Sequence, residues 1–163
     1  MEEVVKIADL VAPELVLFDV EAETKEDLIR KLAAQAEAEG YVTSGYAEDV
    51  IEREDSYPTA LPTAVMKVAV PHAMVQDHVL CAGIVVGRLA HPVLFKEMGE
   101  GVRDVEVECV FMLIAKGDKH HLSVLQRLIG MLADQDSMEK LKAVATPEGM
   151  VDFLVGTLDG QEG

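Results

Sequence analysis

Basic residues are scarce in this chain: 14 lysines and arginines stand against 30 aspartates and glutamates, a formal charge of −16 at pH 7. That balance argues against nucleic acid as a partner, because a phosphate backbone needs a basic footprint. A basic protein partner is permitted, steered in by the net field. Cysteine is limited to two residues, Cys81 and Cys109, which are not spaced as a CxxC redox or zinc pair. Both fall in apolar runs and read as buried free thiols. No apolar stretch reaches the roughly 18 residues of a membrane span. The opening Met1-Glu2-Glu3 is acidic and leads into no signal region, so a cytoplasmic location is expected. Glycine-rich nucleotide loops, a GxSxG elbow and the HExxH and HxxxH zinc patterns are all missing. The expectation is a chemistry without resident metal or cofactor.

What remains is a core. Half of the 163 residues are hydrophobic, and six prolines and twelve glycines are scattered rather than clustered. That is one folded domain over residues 1–163, free of repeats, linkers and low-complexity tracts. Glu14 to Val20 reads as a first strand. Thr24 caps a helix, with Asp27 in capping-box position and Leu28, Ile29, Leu32, Ala33 and Ala36 at helical spacing up to Gly40. Thr43 or Ser44 can cap a second helix ending near Arg53-Glu54, and Pro58 and Pro62 make the next stretch a loop. A strand then ends at Val70. Cys81 to Leu89 is another strand, with Pro92 to Phe95 as a short extension and Gly99-Glu100-Gly101 as a turn. Val105 to Ala115 alternates and then becomes continuously apolar, as a strand does when it passes from a sheet edge to the centre. Gly117-Asp118 leads into a long helix carrying Leu122, Leu125, Leu128, Ile129 and Leu132. Shorter helices follow at Ser137 to Val144 and from Thr146, where Pro147 takes the first helical position. The fold class is α/β: a mixed central sheet flanked by helices.

Of five histidines, His72 stands apart, because Pro71-His72 closes the apolar run Val65 to Val70. A strand end is where α/β sheets display working groups. Imidazole is an uncharged nucleophile near pH 7 that can accept a group and hand it on. His78 and His91 flank strands beside polar residues and read as structural or exposed. His120 and His121 sit on the loop entering the long helix, where a helix N-terminus suits a phosphoryl group; a solvent-facing capping segment is the competing reading. Arg53 offers bidentate contacts to phosphate oxygens, although an i,i+4 pairing with Asp49 explains it equally well.

The stretch Arg53-Glu54-Asp55-Ser56-Tyr57-Pro58-Thr59-Ala60-Leu61, followed by Val68-Ala69-Val70-Pro71-His72, resembles the enzyme IIA domains of the bacterial phosphoenolpyruvate-dependent sugar phosphotransferase system. The type is mannitol/fructose, or EIIA type 2. Pro92-Val93, Phe95, Met98-Gly99, the strand from Val110 to Ala115 and His121-Leu122 extend the likeness from residue 15 to 153. The Arg53–His72 interval with Tyr57-Pro58-Thr59 is most similar to the galactitol-type subgroup. Ala60 departs from it, standing where that subgroup has glycine, so a slightly shifted turn is expected. The resemblance implies that His72 receives phosphate from the phosphocarrier HPr and passes it to a cysteine of enzyme IIB. Arg53 would neutralise phosphate oxygens and His121 would donate a hydrogen bond, though galactitol-type members often lack that second histidine.

The same resemblance implies a chain acting beside a membrane permease without entering the membrane, and a site shallow enough for two partners. Met66, Met74 and Met98 read as core rather than as adaptable contact surface. The alternative is a regulatory homologue of the nitrogen type, which shares His72 and signals through its phosphorylation state. A histidine-based hydrolase would need a nucleophile–base pair, and none is evident in the sequence.

Overall fold

The computed structural model describes residues 6–159, except for the side chains of 118–120. The acidic opening Met1–Glu3 and the side chain of His120 therefore lie outside the described residues. Two short 3-10 turns, Ile7–Asp9 and Pro13–Leu15, precede strand β1 (Val16–Val20). The helix α1 covers Lys25–Ala38 and α2 covers Tyr46–Ser56. Two-residue strands β2 (Ala60–Leu61) and β3 (Val68–Ala69) lead to the long strands β4 (Gly83–Lys96) and β5 (Asp104–Ile114). Helices α3 (Asp118–Leu132), α4 (Gln135–Ala143) and α5 (Pro147–Leu158) complete the chain.

The strands form one sheet in the order β1-β4-β5-β3-β2. Pairings β1–β4 and β3–β5 are parallel, while β4–β5 and β2–β3 are antiparallel. The sheet is therefore mixed, as expected. On one face lie the buried residues of α1 and α2, among them Leu28, Leu32 and Val50. Leu128, Met138 and Leu154 from α3, α4 and α5 cover the other. A sheet buried on both faces needs apolar side chains pointing both ways. This accounts for the unbroken run Cys109 to Ile114. Ahead of it, Lys67 O accepts from both Glu108 N and Cys109 N, at 2.8 and 3.3 Å. Such sharing marks a bulge, and it re-phases the strand. Val105 and Val107 then face the same side as Val110, Met112 and Ile114.

Local signals held where they were local. Thr24 Oγ1 accepts the Asp27 N–H at 3.1 Å, and Thr146 caps α5 through Gly149 with Pro147 at the first position. Other expectations need correction. The cap residue of α2 is Gly45 at φ 105°, with no side-chain cap from Thr43 or Ser44. Strand β4 runs unbroken through the expected break at His91, with a register shift between Arg88 and Val93. At Gly87 a Cβ would come within 3.0 Å of Leu32 Cδ2, so glycine there lets α1 sit close on the sheet. The proline loop contains β2. Ala60 there is buried, pairs with Ala69 and lacks a positive φ, so nothing in this backbone demands glycine.

Candidate functional site

Helix α2 and the segment after β3 build the site around His72. Leu113 N donates to Pro71 O at 3.0 Å, so the chain keeps step with β5 past the formal end of β3. The carbonyl of Leu113 in turn accepts the buried Tyr46 hydroxyl at 2.9 Å, which ties α2 to the same rung. His72 Nδ1 lies 2.8 Å from Val70 O. A carbonyl can only accept, so Nδ1 carries the proton and Nε2 carries the lone pair.

The structure brings His121 to this ring. The imidazoles of His72 and His121 lie 4.3 Å apart between centroids and are tilted by 52°. His121 is inside the first turn of α3 rather than on a loop before it, and its backbone N–H donates to Gly117 O. Arg53 stands in the last turn of α2, where its Nη1 donates to Tyr57 O at 3.1 Å and its guanidinium lies 5.5 Å from the Tyr57 ring centre. The i,i+4 reading with Asp49 is overturned. That carboxylate pairs with His78 Nδ1 at 2.6 Å, and the His78 ring fills the space above Gly45. His78 thus braces the start of α2, while His91 is exposed on β4.

His72 is only 5% exposed, less open than the shallow site expected. Burial pushes its pKa from 6.5 down to about 4, against the opposing Val70 hydrogen bond and with help from the Arg53 charge and His121. The ring is neutral at pH 7. Linkage fixes the sign: below pH 6.5 the unfolded chain takes up a proton that the native ring refuses until about pH 4. Between pH 7 and 4 the protein should lose roughly 3 kcal/mol of stability more than His72→Gln does. Urea unfolding of both at the two pH values checks this, and parallel losses would contradict a neutral buried ring.

Three participants escaped the sequence reading. Glu54 and Thr59 are each 1% exposed and bonded to one another. Gln76 Oε1 accepts the Gly117 N–H at 3.1 Å, tying the loop after His72 to the start of α3. The Arg53-Glu54 pair was visible as a motif, but its second member carried no assigned role. Met66 is buried as expected, whereas Met74 and Met98 are exposed, as are Val75, Leu80 and Leu122. Cys109 is buried, but Cys81 is exposed, because β4 begins two residues after it. Among the described residues no three His, Cys, Asp or Glu side chains gather to hold a metal ion, and no helix is long and apolar enough to cross a membrane.

This arrangement has counterparts. The chain is 31% identical over 144 residues to a multiphosphoryl transfer protein of Salmonella typhimurium, a match covering 87% of this chain and 36% of that one. It thus spans about a third of the length of that relative. It is 33% identical to a nitrogen regulatory protein of Bradyrhizobium diazoefficiens, covering 91% of this chain and 94% of that protein. Its fold matches the mannitol enzyme IIA in the Escherichia coli complex with phosphorylated mannitol enzyme IIB. There the TM-score is 0.71 and the identity 27%, covering 93% and 98% of the two chains. Residues 9–155 match the family model of the phosphoenolpyruvate-dependent sugar phosphotransferase system, EIIA 2. The chain belongs to that family of phosphotransfer components.

Proposed function

We propose that this chain takes phosphate from HPr onto Nε2 of His72 and passes it to a cysteine of an enzyme IIB. The observation that carries the reading is the placement of the His72 ring, its Nδ1 at 2.8 Å from Val70 O and the His121 ring 4.3 Å away. In the first step the Nε2 lone pair attacks phosphorus while the bond to the donor's ring nitrogen breaks and that nitrogen keeps the pair. In the second step a cysteine thiolate of enzyme IIB attacks, and Nε2 leaves with its electrons. The phosphoryl group moves as a unit, so the protein's task is positioning and charge stabilisation. Arg53 neutralises the phosphoryl oxygens and His121 donates to them. Met74 and Val75, just after His72 in the chain, and Leu122, next to His121, are exposed, and on an acidic protein they suit basic and apolar partners. The relay works in the cytoplasm beside a permease for a sugar or sugar alcohol, galactitol-like by its Tyr57-Pro58-Thr59 spacing.

The test is transfer from labelled phosphoenolpyruvate through enzyme I and HPr. One acid-labile phosphate per chain is expected, and an unlabelled chain overturns the reading. The near full-length match to a nitrogen regulatory protein favours a second reading, in which the phosphorylation state governs binding to other proteins. Adding enzyme IIB components separates the two. Sugar-dependent loss of the label supports transport, and label that no enzyme IIB accepts supports regulation.

A further inference from the structure

We propose that Glu54 and Thr59 are positioning residues for His72, acting through the backbone of Val70. The inference takes its kinetic readout from the phosphoryl-acceptor reading, while its structural readout stands alone.

Glu54 is a carboxylate at 1% exposure. A buried charge is costly unless paired and hydrogen-bonded, yet no cation lies within ion-pair distance of it among the described residues. Its acceptors are spent on one residue. Thr59 N donates to Oε2 at 2.9 Å and Thr59 Oγ1 donates to Oε1 at 2.8 Å. Burial raises the Glu54 pKa despite both bonds and the more distant charges of Lys25 and Arg53, so the site keeps a carboxyl group at a cost.

The hydroxyl explains what that cost obtains. A threonine hydroxyl has one proton and two lone pairs. An ionised carboxylate can only accept, so it draws the Thr59 proton toward itself and turns an Oγ1 lone pair outward. Val70 N donates to that oxygen at 3.2 Å. Ala60 pairs with Ala69 in the β2–β3 ladder. One step further, at Thr59 and Val70, the side-chain oxygen stands in for the next backbone acceptor. Val70 is thereby held by its N–H on one side. Its carbonyl accepts from His72 Nδ1 on the other. Pro71 brings no N–H to compete and a fixed φ, and its own carbonyl is taken by Leu113 N.

A buried chain of bonds thus runs from the α2 carboxylate through Thr59 and Val70 to the imidazole. Its chemical consequence is the tautomer. In water a free histidine side chain favours the proton on Nε2, the nitrogen that must carry the lone pair here. The Val70 carbonyl reverses that preference only while it stays in register with Nδ1. Arg53, the neighbour of Glu54 on α2, is set by the same helix turn. One element therefore fixes both the ring and the cation.

Ring-nitrogen NMR of histidine-labelled protein reads the tautomer directly, and acceptance of phosphate from phospho-HPr reads its consequence. Wild type is expected to hold His72 as the Nδ1–H form. Thr59→Val, which keeps the shape and removes the hydroxyl, should shift the ring toward Nε2–H and slow acceptance roughly 10–100-fold, the scale on which losing an orienting partner acts at a histidine. Thr59→Ser should restore both. Glu54→Gln, of equal size, can donate to Oγ1 and free the hydroxyl proton to turn; a shift in the same direction and about a 10-fold slowing are expected. Should Thr59→Val fail to fold, Glu54→Gln decides between the outcomes. Unchanged Nδ1–H tautomer in the folded variants overturns the assignment, even with phosphate acceptance intact in wild type. A shifted tautomer in variants of a wild type that takes no phosphate upholds the positioning role and sinks the relay reading instead.

Discussion

His72→Gln is expected to take no phosphate from phospho-HPr, a loss of at least about 10^4-fold, as removal of a nucleophile produces elsewhere. Glutamine can occupy much of the ring's volume and can still donate to the Val70 carbonyl, so the loss would report chemistry rather than collapse. An amide nitrogen has no lone pair available for attack on phosphorus. The one other imidazole that the described residues place here is His121, with its ring centre 4.3 Å away. It sits in the first turn of α3, on an element that is not registered with β5 through Pro71 and Leu113 as His72 is. Label mapped by mass spectrometry to His72 in wild type, and absent from the variant, is the expected result. Full labelling of His72→Gln would reassign the acceptor and remove the basis of the proposed relay.

Arg53→Met should slow acceptance by roughly 10^2–10^3-fold, the scale of deleting one preorganised donor at a developing charge. The guanidinium stands at the C-terminal end of α2, half-buried, with one N–H given to Tyr57 O and its plane near the Tyr57 ring. Burial lowers its pKa from the usual arginine value, but a guanidinium remains charged at neutral pH. Partial withdrawal from water would strengthen its pull on a phosphoryl group carried by His72. Arg53→Lys should recover part of the rate, because an ammonium supplies the charge without the planar fork. Methionine also removes a cation that disfavours protonation of His72, so the ring should titrate at a higher pH in Arg53→Met. Quenched-flow transfer assays and an NMR titration measure the two effects. Wild-type rate together with an unmoved His72 titration would place Arg53 outside the site.

The sequence made some of this legible because the responsible forces are short-ranged. Thr24 and Thr146 cap their helices because hydroxyl and amide lie three residues apart, a distance the chain itself sets. The stripe Leu28, Ile29, Leu32, Ala33, Ala36 follows from helical pitch alone. The continuous run up to Ile114 announced a strand covered on both sides. His72 stood out because proline and an apolar run marked a strand end, and the family likeness named Arg53 and His121 as expected companions; the structure sets the His121 ring 4.3 Å from that of His72. Misreadings came where a partner arrives from elsewhere in the chain. Asp49 is near Arg53 in sequence, yet it pairs with His78, 29 residues on. Thr43 and Ser44 are good cap formers, but the ring of His78 over Gly45 leaves no room for a Cβ at the start of α2. Cys81 and Met74 read as core because apolar neighbours surround them in the sequence; both lie in the exposed segment between His72 and β4.

By itself, then, the amino-acid order determined the α/β class, the ends of several helices and the strand-end position of one candidate imidazole, since pitch, pleat and capping need only near neighbours. Tertiary structure decided which nitrogen of that imidazole holds the proton, how far its pKa falls and which carboxylate stands behind it. Those properties depend on distances between α2, the end of β3 and α3, and such distances exist only once the two helical layers have closed on the sheet.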